Sequence, residues 1–221
     1  MCGRFAFYSP SEATAALFGV TGSIEVEPRY NIAPTQYVAA IRNDEFDVPE
    51  LAMLRWGLVP FWAKDPLIGN RMINARAETV AEKPAYRAAY RRRRCLVLAD
   101  GFYEWRAEET GKTPYFISLS DEQPFAFAAL WEQWSSKDSD ESLQSTTLIT
   151  TTANEYMAAL HHRMPVILEP ATADRWLAGD DDVIGFVAGN CPHLKAWPVD
   201  RRVNNARNGG AQLIQPTGST V

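Results

Sequence analysis

The chain predicts an α+β fold, a single domain over residues 1–221 in which a mostly antiparallel, barrel-like β core carries short peripheral helices. Apolar runs typical of strands outnumber helical segments and do not alternate with them regularly, which argues against a doubly wound fold. The 14 prolines and 13 glycines are spread along the chain with no obvious linker between domains. A composition of 46% hydrophobic and 22% charged residues is ordinary for a soluble globular protein.

The first third of the chain predicts one helix and two strands. Residues 9–12 (SPSE) have the form of a capping box, so a short helix is expected to begin there and to end at Gly19. Residues 28–34 (PRYNIAP) predict an extended loop. Two strands joined by an acidic turn are expected at 37–42 and 51–56. The segment 56–62 (WGLVPFW) is interrupted by Gly and Pro and predicts a loop.

The middle of the chain predicts mostly strands. A helix is expected at 83–90, and a basic run at 91–94 leads into an apolar strand at 95–98. The polar segment 135–145 predicts a mobile loop. Further strands are expected at 115–119, 125–130 and 146–151.

The last third predicts two helices and a strand between them. Asn154 is a typical N-cap residue, so a short helix is expected at 154–160. An apolar strand follows at 165–168. A helix at 171–177 is expected to end at Gly179.

Composition and cysteine spacing favour a cytoplasmic protein without a metal or cofactor. Arg4 is followed by no sustained apolar region, so no signal peptide is expected, and no apolar run is long enough to span a membrane. Cys2, Cys95 and Cys191 form neither a paired framework nor a C-x-x-C motif, so disulfides and a zinc site are not expected. The net charge of -5 does not by itself indicate nucleic-acid binding, although a local basic patch is what contacts phosphates.

The first residues hold the leading candidate for chemistry. If Met1 is removed, Cys2 carries an α-amine and a thiol on adjacent carbons, which titrate near pH ~8 and ~8.5. Such a 1,2-aminothiol condenses with an aldehyde to an imine, which the thiol closes into a thiazolidine. It is equally suited to an N-terminal-nucleophile hydrolase. Arg4 adds a fixed positive charge suited to a phosphate or carboxylate. The alternative is a cysteine that only follows the initiator.

Two polar segments supply further candidates. Asn74 is suited to hold an amine or carbonyl and Arg76 to hold a phosphate, and the alternative is a turn with a helix-start carboxylate. Glu104 lies between Tyr103 and Trp105, so its carboxyl group is expected to be partly desolvated and suited to general acid-base catalysis. The alternative is a salt-bridged residue at a strand edge.

A histidine pair and an aromatic pair complete the candidates. His161 and His162 precede Arg163 at the junction of a helix and an apolar strand, where a histidine is able to shuttle protons or bind an anion. The alternative is a histidine that caps the helix. Phe61 and Trp62 are candidates for a base-stacking platform, and the alternative is that they belong to the core.

The chain resembles the SOS-response-associated peptidase (SRAP) family in segments that occur in this order: MCGRF, RYNIAP, WGLVPFW, NARAET, DGFYEW, HHRMPVIL and VNNARNGGAQLIQP. The family includes sensors of abasic sites in single-stranded DNA. The resemblance runs from Met1 to about Pro216. It implies that the protein removes its own Met1 and that Cys2 then forms a thiazolidine crosslink with the ring-opened abasic site, which shields the lesion from strand cleavage.

The resemblance also implies a role for each matching residue. Cys2 is the nucleophile, Asn74 positions the terminal amine and Glu104 is the acid-base group. His161 lies at the lesion, where it helps to open the sugar ring or to handle the imine. The family commonly has an acidic residue at the position of His162, so this chain departs from the pattern there.

The resemblance implies a DNA surface and a partner. Phosphate contacts are expected from Arg4, Arg76 and Arg163. Loops that grip and kink the strand are expected to present Pro34, Phe61, Trp62 and Thr150. The expected partner is single-stranded DNA containing abasic sites, and the protein is expected to be a nucleoid-associated monomer that has no membrane partner and needs no cofactor.

Two other functions start from the same residues. Glutamine amidotransferases of the N-terminal-nucleophile class also begin Met-Cys-Gly, but this chain lacks their Arg-Gly-Pro-Asp and Asn-Gly-Glu segments. A non-catalytic single-strand-binding module would use the aromatic and arginine loops and would leave the Met-Cys-Gly start unexplained.

Overall fold

The computed structural model describes residues 2–22, 24–109 and 111–220. Its strands in chain order are Phe5–Phe7 (β1), Arg29–Ile32 (β2), Tyr37–Asn43 (β3), Pro49–Trp56 (β4), Asn74–Arg76 (β5), Arg94–Ala99 (β6), Gly101–Glu108 (β7), Gly111–Leu119 (β8), Phe125–Ser135 (β9), Ser142–Thr152 (β10), Arg163–Pro165 (β11), Ile167–Leu168 (β12) and Leu194–Pro198 (β13). Its α-helices are Ser11–Leu17 (α1), Arg87–Arg92 (α2), Glu155–Ala158 (α3), Pro170–Leu177 (α4) and Val183–Gly189 (α5). Short 3-10 helices cover Pro66–Arg71, Arg201–Asn204 and Ala211–Ile214.

Five strands close into a barrel. The order is β10, β4, β3, β6 and β9, and β9 pairs again with β10. The pairs are antiparallel except that between β10 and β4, which is parallel. The long strand β10 also pairs with β5 and β11, so it carries both segments to the rim of the barrel. The prediction of an α+β fold with a barrel-like core is confirmed.

A second sheet packs on the barrel and links the two ends of the chain. Its order is β13, β8, β7, β1 and β2, with β1 between β7 and β2. Phe5 and Phe102 on one face join the same hydrophobic core as the barrel strands. Tyr103 and Phe116 on the other face are covered by Val203 of the C-terminal segment. Alternation along β7 therefore separates a core face from a face toward the C-terminus.

Most predicted elements are confirmed, with shifted ends. The strands predicted at 37–42, 51–56, 95–98, 115–119, 125–130 and 146–151 are all present. Each of them extends beyond its predicted bounds by one to five residues at one end or at both ends. Asn154 Oδ1 accepts the Met157 N–H at 2.8 Å, as expected of an N-cap. Gly19 and Gly179 follow their helices with positive φ. The strand predicted at 165–168 is split between β11 and β12.

Two local predictions are wrong, and a third holds only in part. Ser9 does not cap α1, because its Oγ donates to Asp100 Oδ1 at 2.5 Å and its N–H donates to Asp100 Oδ2 at 2.8 Å. The segment 28–34 contains β2, since its backbone pairs with β1. The segment 135–145 is a loop only over residues 136–141, because Ser135 ends β9 and residues 142–145 belong to β10. In the first two cases a partner distant in sequence outweighs the local preference. The helix predicted at 83–90 begins only at Arg87.

No helix in the described ranges is long and apolar enough to cross a membrane.

Candidate functional site

Cys2 is buried at the start of the second sheet. It lies just before β1, and the side chain has no exposed surface and belongs to the main hydrophobic core. Its Sγ lies 3.9 Å from the Arg4 carbonyl oxygen. Burial raises the pKa of the thiol far above its usual range, and the nearby charge of Glu104 raises it further. The thiol is therefore protonated at neutral pH in this state. Met1 and its predicted removal lie outside the described residues.

Asn74 holds the peptide of Cys2 from the barrel side. It is the first residue of β5, which runs parallel to β10. Its Nδ2 donates to the Cys2 carbonyl oxygen at 2.7 Å. Within the described ranges its Oδ1 is buried and has no hydrogen-bond partner. The side chain thus fixes Cys2 with its donor and keeps a buried acceptor beside it.

Glu104 lies on the core face of β7. Successive side chains of a strand point to opposite faces, so Tyr103 faces the C-terminal segment and Glu104 lies on the opposite face of the sheet. Only 3% of the Glu104 surface is exposed. Its charge contributes to the raised pKa of the Cys2 thiol, which places the two groups within electrostatic reach. The expected burial of the Glu104 carboxyl group is confirmed. Its role in acid-base catalysis stays a prediction.

His161 lies in the turn between α3 and β11. Its N–H donates to the Met157 carbonyl oxygen at 2.8 Å, and its Nδ1 accepts the Arg163 N–H at 3.0 Å. The same Nδ1 lies 3.1 Å from the Arg163 carbonyl oxygen. The neutral ring accepts from the N–H and the charged ring donates to the carbonyl, so either form has a partner there.

His162 is exposed and stacks on His161. The ring centroids are 4.3 Å apart with an interplanar angle of 25°. The positive charge of His161 lowers the pKa of His162, with smaller contributions that include the charge of Arg163. The stacked neighbour therefore disfavours the charged form of His162.

Arg163 is tied into the barrel rim. Its Nη1 and Nη2 donate to the two carboxylate oxygens of Glu78 at 2.5 and 2.9 Å, and Nη2 also donates to the Thr150 carbonyl oxygen at 2.7 Å. This hydrogen bonding holds the pKa of Glu78 below its usual range. Thr150 is fully buried beneath Arg163. The predicted DNA contacts of Arg163 and Thr150 stay predictions, and the partner Glu78 was missed because it lies 85 residues away in sequence.

Arg4 connects the N-terminal segment to the C-terminal one. Its Nη1 donates to Asn31 Oδ1 and to the Val203 carbonyl oxygen, both at 2.6 Å. Asn31 is buried and its Nδ2 donates to the carbonyl oxygens of Asn205 and Asn208. The phosphate contact predicted for Arg4 stays a prediction. Asn31 was missed, although it lies within the RYNIAP segment.

The remaining predicted DNA residues lie on the surface. Phe61 and Trp62 are 56% and 49% exposed, which excludes the alternative that they belong to the core. Arg76 is exposed on β5, two residues after Asn74. Pro34 is half-buried after β2. In the ranges that the structure covers, no group of three or more His, Cys, Asp or Glu residues could hold a metal ion.

The chain is similar to one protein family, to several curated proteins and to solved structures. A family model described as SOS response associated peptidase (SRAP) matches residues 1–206. The chain is 40% identical to the abasic site processing protein YoaM of Bacillus subtilis, over 97% of each chain. It is 32% identical to the abasic site processing protein YedK of Escherichia coli, over 98% of this chain and 100% of the relative. A solved structure from Bacteroides thetaiotaomicron matches with a TM-score of 0.86 at 24% identity, over 98% of this chain and 100% of that one, which shows the same fold.

Proposed function

Because the chain belongs to the SOS response associated peptidase family, we propose that it senses and shields abasic sites in single-stranded DNA by covalent attachment through Cys2. Both bacterial relatives described above are named abasic site processing proteins. The observation that carries the proposal is the hydrogen bond of 2.7 Å from Asn74 to the Cys2 carbonyl, next to the buried carboxyl group of Glu104.

The first step exposes the nucleophile. Hydrolysis of the Met1–Cys2 peptide bond consumes one water and leaves a free α-amine on Cys2. Asn74 already holds the Cys2 carbonyl, so the bond between Asn74 and Cys2 survives the cleavage and keeps the new terminus in place. The buried acceptor Asn74 Oδ1 is suited to the hydrogens of that amine. Glu104 moves the proton that the leaving amine requires.

The second step captures the aldehyde of the ring-opened abasic sugar. The amine nitrogen of Cys2 adds to the aldehyde carbon, and loss of one water gives an imine. Sγ of Cys2 then adds to the imine carbon while the thiol proton passes to the nitrogen, which closes the thiazolidine ring. Burial keeps the thiol protonated, so a base is needed at this step, and Glu104 is within electrostatic reach. His161 assists with proton transfer to the opening sugar.

The DNA strand is bound on the surface around this site. Arg76 is exposed and offers a charge to a phosphate, and Phe61 and Trp62 offer faces to bases. Arg163 is bound to Glu78 and Arg4 to the Val203 carbonyl oxygen, so each reaches a phosphate only if it exchanges or shares that partner. Thr150 supports Arg163 from below, since its carbonyl oxygen accepts from Arg163 Nη2. Pro34 shapes the loop beside them. We propose that the protein works on DNA of the nucleoid as a monomer.

A denaturing gel tests the proposal. Wild-type protein incubated with an oligonucleotide containing one abasic site should give a shifted band that survives denaturation. Cys2→Ala should abolish this band and keep a weaker reversible affinity for the strand. Cys2→Ser should give at most a labile imine, because a hydroxyl does not close the sulfur ring.

The controls separate the alternatives. Intact mass of the wild type, measured in parallel, reports whether Met1 is absent. A stable band with Cys2→Ala, or no band from wild type that lacks Met1, would refute the crosslink. Release of ammonia from glutamine without a band would instead favour an N-terminal-nucleophile amidotransferase.

A further inference from the structure

A groove on the outside of the barrel lies between α2 and β9. It encloses about 510 Å³. Phe61 of the aromatic loop lines the groove. The other lining residues come from α2 and the residue after it, and from β9. They are Arg87, Ala88, Arg91, Arg92 and Arg93, and Glu132 and Gln133. The basic run that the sequence places at 91–94 therefore forms part of a concave surface, and no step proposed above uses it.

Three arginines of this groove have side chains that form no hydrogen bond or ion pair among the described residues. Arg87 and Arg91 lie four residues apart, hence on one face of α2, and Arg92 follows. All three are exposed, and within the part of the chain that the structure describes their side chains make no hydrogen bond or ion pair. Long charged side chains that bind nothing in the protein are available to a ligand.

The neighbouring arginines behave differently. Arg93 donates to Glu132 Oε2 at 2.7 Å, so the carboxylate that faces the groove is already neutralised. Arg94 is buried, where its guanidinium lies over the rings of Tyr90 and Trp176. Within the described ranges, the groove therefore keeps three positive charges that form no ion pair, on a chain whose net charge is -5.

The groove is continuous with the aromatic loop. Phe61 both lines the groove and exposes more than half of its surface. The loop that carries it is fixed to β9, since Trp134 Nε1 donates to the Ala63 carbonyl oxygen at 2.7 Å. Trp134 is next to Gln133, which lines the groove. The stacking platform and the arginines are thus held in a fixed relation by one strand.

We propose that this groove binds the phosphate backbone of single-stranded DNA beyond Phe61, so that the strand passes from the Cys2 site over the aromatic loop and onto α2. The inference rests on the proposed function, because it takes the same strand as ligand. Residues four apart on a helix have Cβ atoms roughly 6 Å apart, which is comparable to the separation of successive phosphates in a single strand. Arginine is the side chain best suited to such contacts.

A purely structural role for these arginines makes different predictions. Basic residues in the last turn of a helix stabilise it through the helix dipole. Arg91 and Arg92 also line an adjoining cavity of about 360 Å³ together with Asp44 and Asp47. If either role accounts for the arginines, their loss lowers the melting temperature and leaves DNA binding unchanged.

The test is a salt titration with lesion-free DNA. Fluorescently labelled oligothymidylates of about 4 and about 15 nucleotides, lengths that bracket single-strand-binding sites, are titrated with protein at several salt concentrations. For the triple variant Arg87→Gln, Arg91→Gln and Arg92→Gln, the slope of log affinity against log salt should fall in magnitude by about 2 on the longer strand, at roughly 0.7 per phosphate. On the shorter strand, which occupies only the site around Phe61, wild type and variant should agree.

Two controls accompany the triple variant. Lys112→Gln removes an exposed positive charge at the hairpin between β7 and β8 and should leave both slopes as in wild type. Arg91→Lys keeps the charge and should retain most of the slope. Equal slopes for wild type and triple variant on the longer strand, an equal loss on both lengths, or a loss seen only with duplex DNA would each overturn the inference.

Failure of this inference is distinguishable from failure of the proposed function. Crosslinking to a short abasic oligonucleotide at saturating protein should be the same for the triple variant and wild type. If wild type forms no crosslink, the proposed function fails, and the salt slopes on lesion-free DNA still decide the groove. If wild type binds no single strand at all, both are overturned.

Discussion

A cysteine with no exposed surface is an unusual nucleophile, because the reactive thiolate is the form that burial disfavours. Cys2 is in this position, and Asn74 and Glu104 approach it from two different sheets. In the proposed function, this burial would restrain the thiol until a substrate and a proton acceptor are both present. The proposed chemistry at the residue scale therefore depends on proton transfer.

The first prediction concerns Glu104. Glu104→Gln keeps the shape of the side chain and its hydrogen bonds but cannot transfer protons, so exchange of a preformed adduct onto a competitor oligonucleotide should slow by about 100-fold or more. Gel bands followed over hours, with matched N-termini, give the rate. Glu108→Gln on the same strand changes an exposed carboxylate that is paired with Arg106 and should exchange like wild type. Equal rates for all three proteins would assign Glu104 a structural role.

The second prediction concerns the pH dependence of thiol labelling. Burial raises the pKa of Cys191 to about 11 and that of Cys95 to about 12. In native protein at pH ~8, iodoacetamide should therefore modify half-buried Cys191 first, and the rate should keep rising above pH ~8.5 instead of levelling off there. These pKa values are higher in the folded state, so the stability that these thiols contribute is present below pH ~8.5 and is lost as pH rises above it.

Peptide mass spectrometry measures this labelling residue by residue. In guanidinium all three cysteines should react at similar rates, which provides the reference. Labelling of Cys2 ahead of Cys191 in native protein would contradict the full burial of Cys2.

At the scale of elements, a close approach of two backbone segments positions the aromatic loop. A Cβ added to Gly69 would lie 2.5 Å from the Gly57 carbonyl oxygen and 2.9 Å from Val59 Cγ2. Gly57 itself has φ of +124°, a conformation that favours glycine. The loop that carries Phe61 and Trp62 lies between these two glycines.

The third prediction follows from this contact. Gly69→Ala should destabilise the protein by about 1–3 kcal/mol, since backbone must move, and should weaken single-strand binding because Phe61 and Trp62 shift. Thermal unfolding and anisotropy titrations measure the two effects. Gly185→Ala in α5, where the added Cβ meets nothing within 4 Å, should be neutral or stabilising by up to about 1 kcal/mol. A stable Gly69→Ala protein with unchanged affinity would show that the loop does not depend on this contact.

The fourth prediction concerns the ion pair between Arg163 of β11 and Glu78, which follows β5 in the chain. Glu78→Gln removes the charge that engages Arg163, so the salt slope for single-strand binding should increase in magnitude by about 0.7 if Arg163 then reaches a phosphate. The cost in stability should not exceed about 1 kcal/mol, because Glu78 is 45% exposed. Glu82→Gln removes the same charge from an exposed neighbour and serves as control. An unchanged slope would make Arg163 part of the scaffold.

The pH dependence of this pair has a definite sign. Arg163 holds the pKa of Glu78 below its usual range, so the stability from the pair is present above the ordinary glutamate pKa of ~4.3 and is lost as pH falls through the lower folded value. The stability difference between wild type and Glu78→Gln should therefore shrink in acid.

At the scale of the whole molecule, one core joins the barrel and the second sheet. Phe5 of β1 makes edge contacts with Trp56 of β4 at 5.1 Å and with Phe127 of β9 at 5.6 Å between ring centroids. The outer face of the second sheet is closed by the C-terminal segment, which Arg4 and Asn31 hold. The site therefore depends on both ends of the chain.

The fifth prediction is that the two sheets unfold together. Urea unfolding followed by far-ultraviolet circular dichroism and by tryptophan fluorescence should give coincident transitions, because Phe5 and Phe102 share one core with the barrel. Trp197 reports on the second sheet and Trp134 on the barrel, so Trp197→Phe and Trp134→Phe separate the two signals. Two midpoints would show that the sheets are independent units.

The sequence by itself determined the elements whose stabilising interactions are local. The apolar runs of β3, β6 and β9 are buried whichever strands they pair with. Asn154 caps α3 through a hydrogen bond to Met157, only three residues further along the chain. The segments MCGRF, NARAET and DGFYEW indicated Cys2, Asn74 and Glu104 as candidates, and the resemblance to the family gave each of them an expected role. The exposure of Phe61 and Trp62 could not be derived in this way, since an aromatic pair suits a core equally well.

Only the tertiary structure decided the contacts between segments that lie far apart in sequence. Ser9 bonds Asp100 instead of capping α1, Arg163 pairs with Glu78, and Arg4 reaches Val203. Each of these partners is chosen by the register of strands that pair across the chain, and no local preference encodes that register. The same reason explains the groove on α2: a run of arginines in sequence becomes a concave basic surface only where the barrel brings β9 and the aromatic loop beside it.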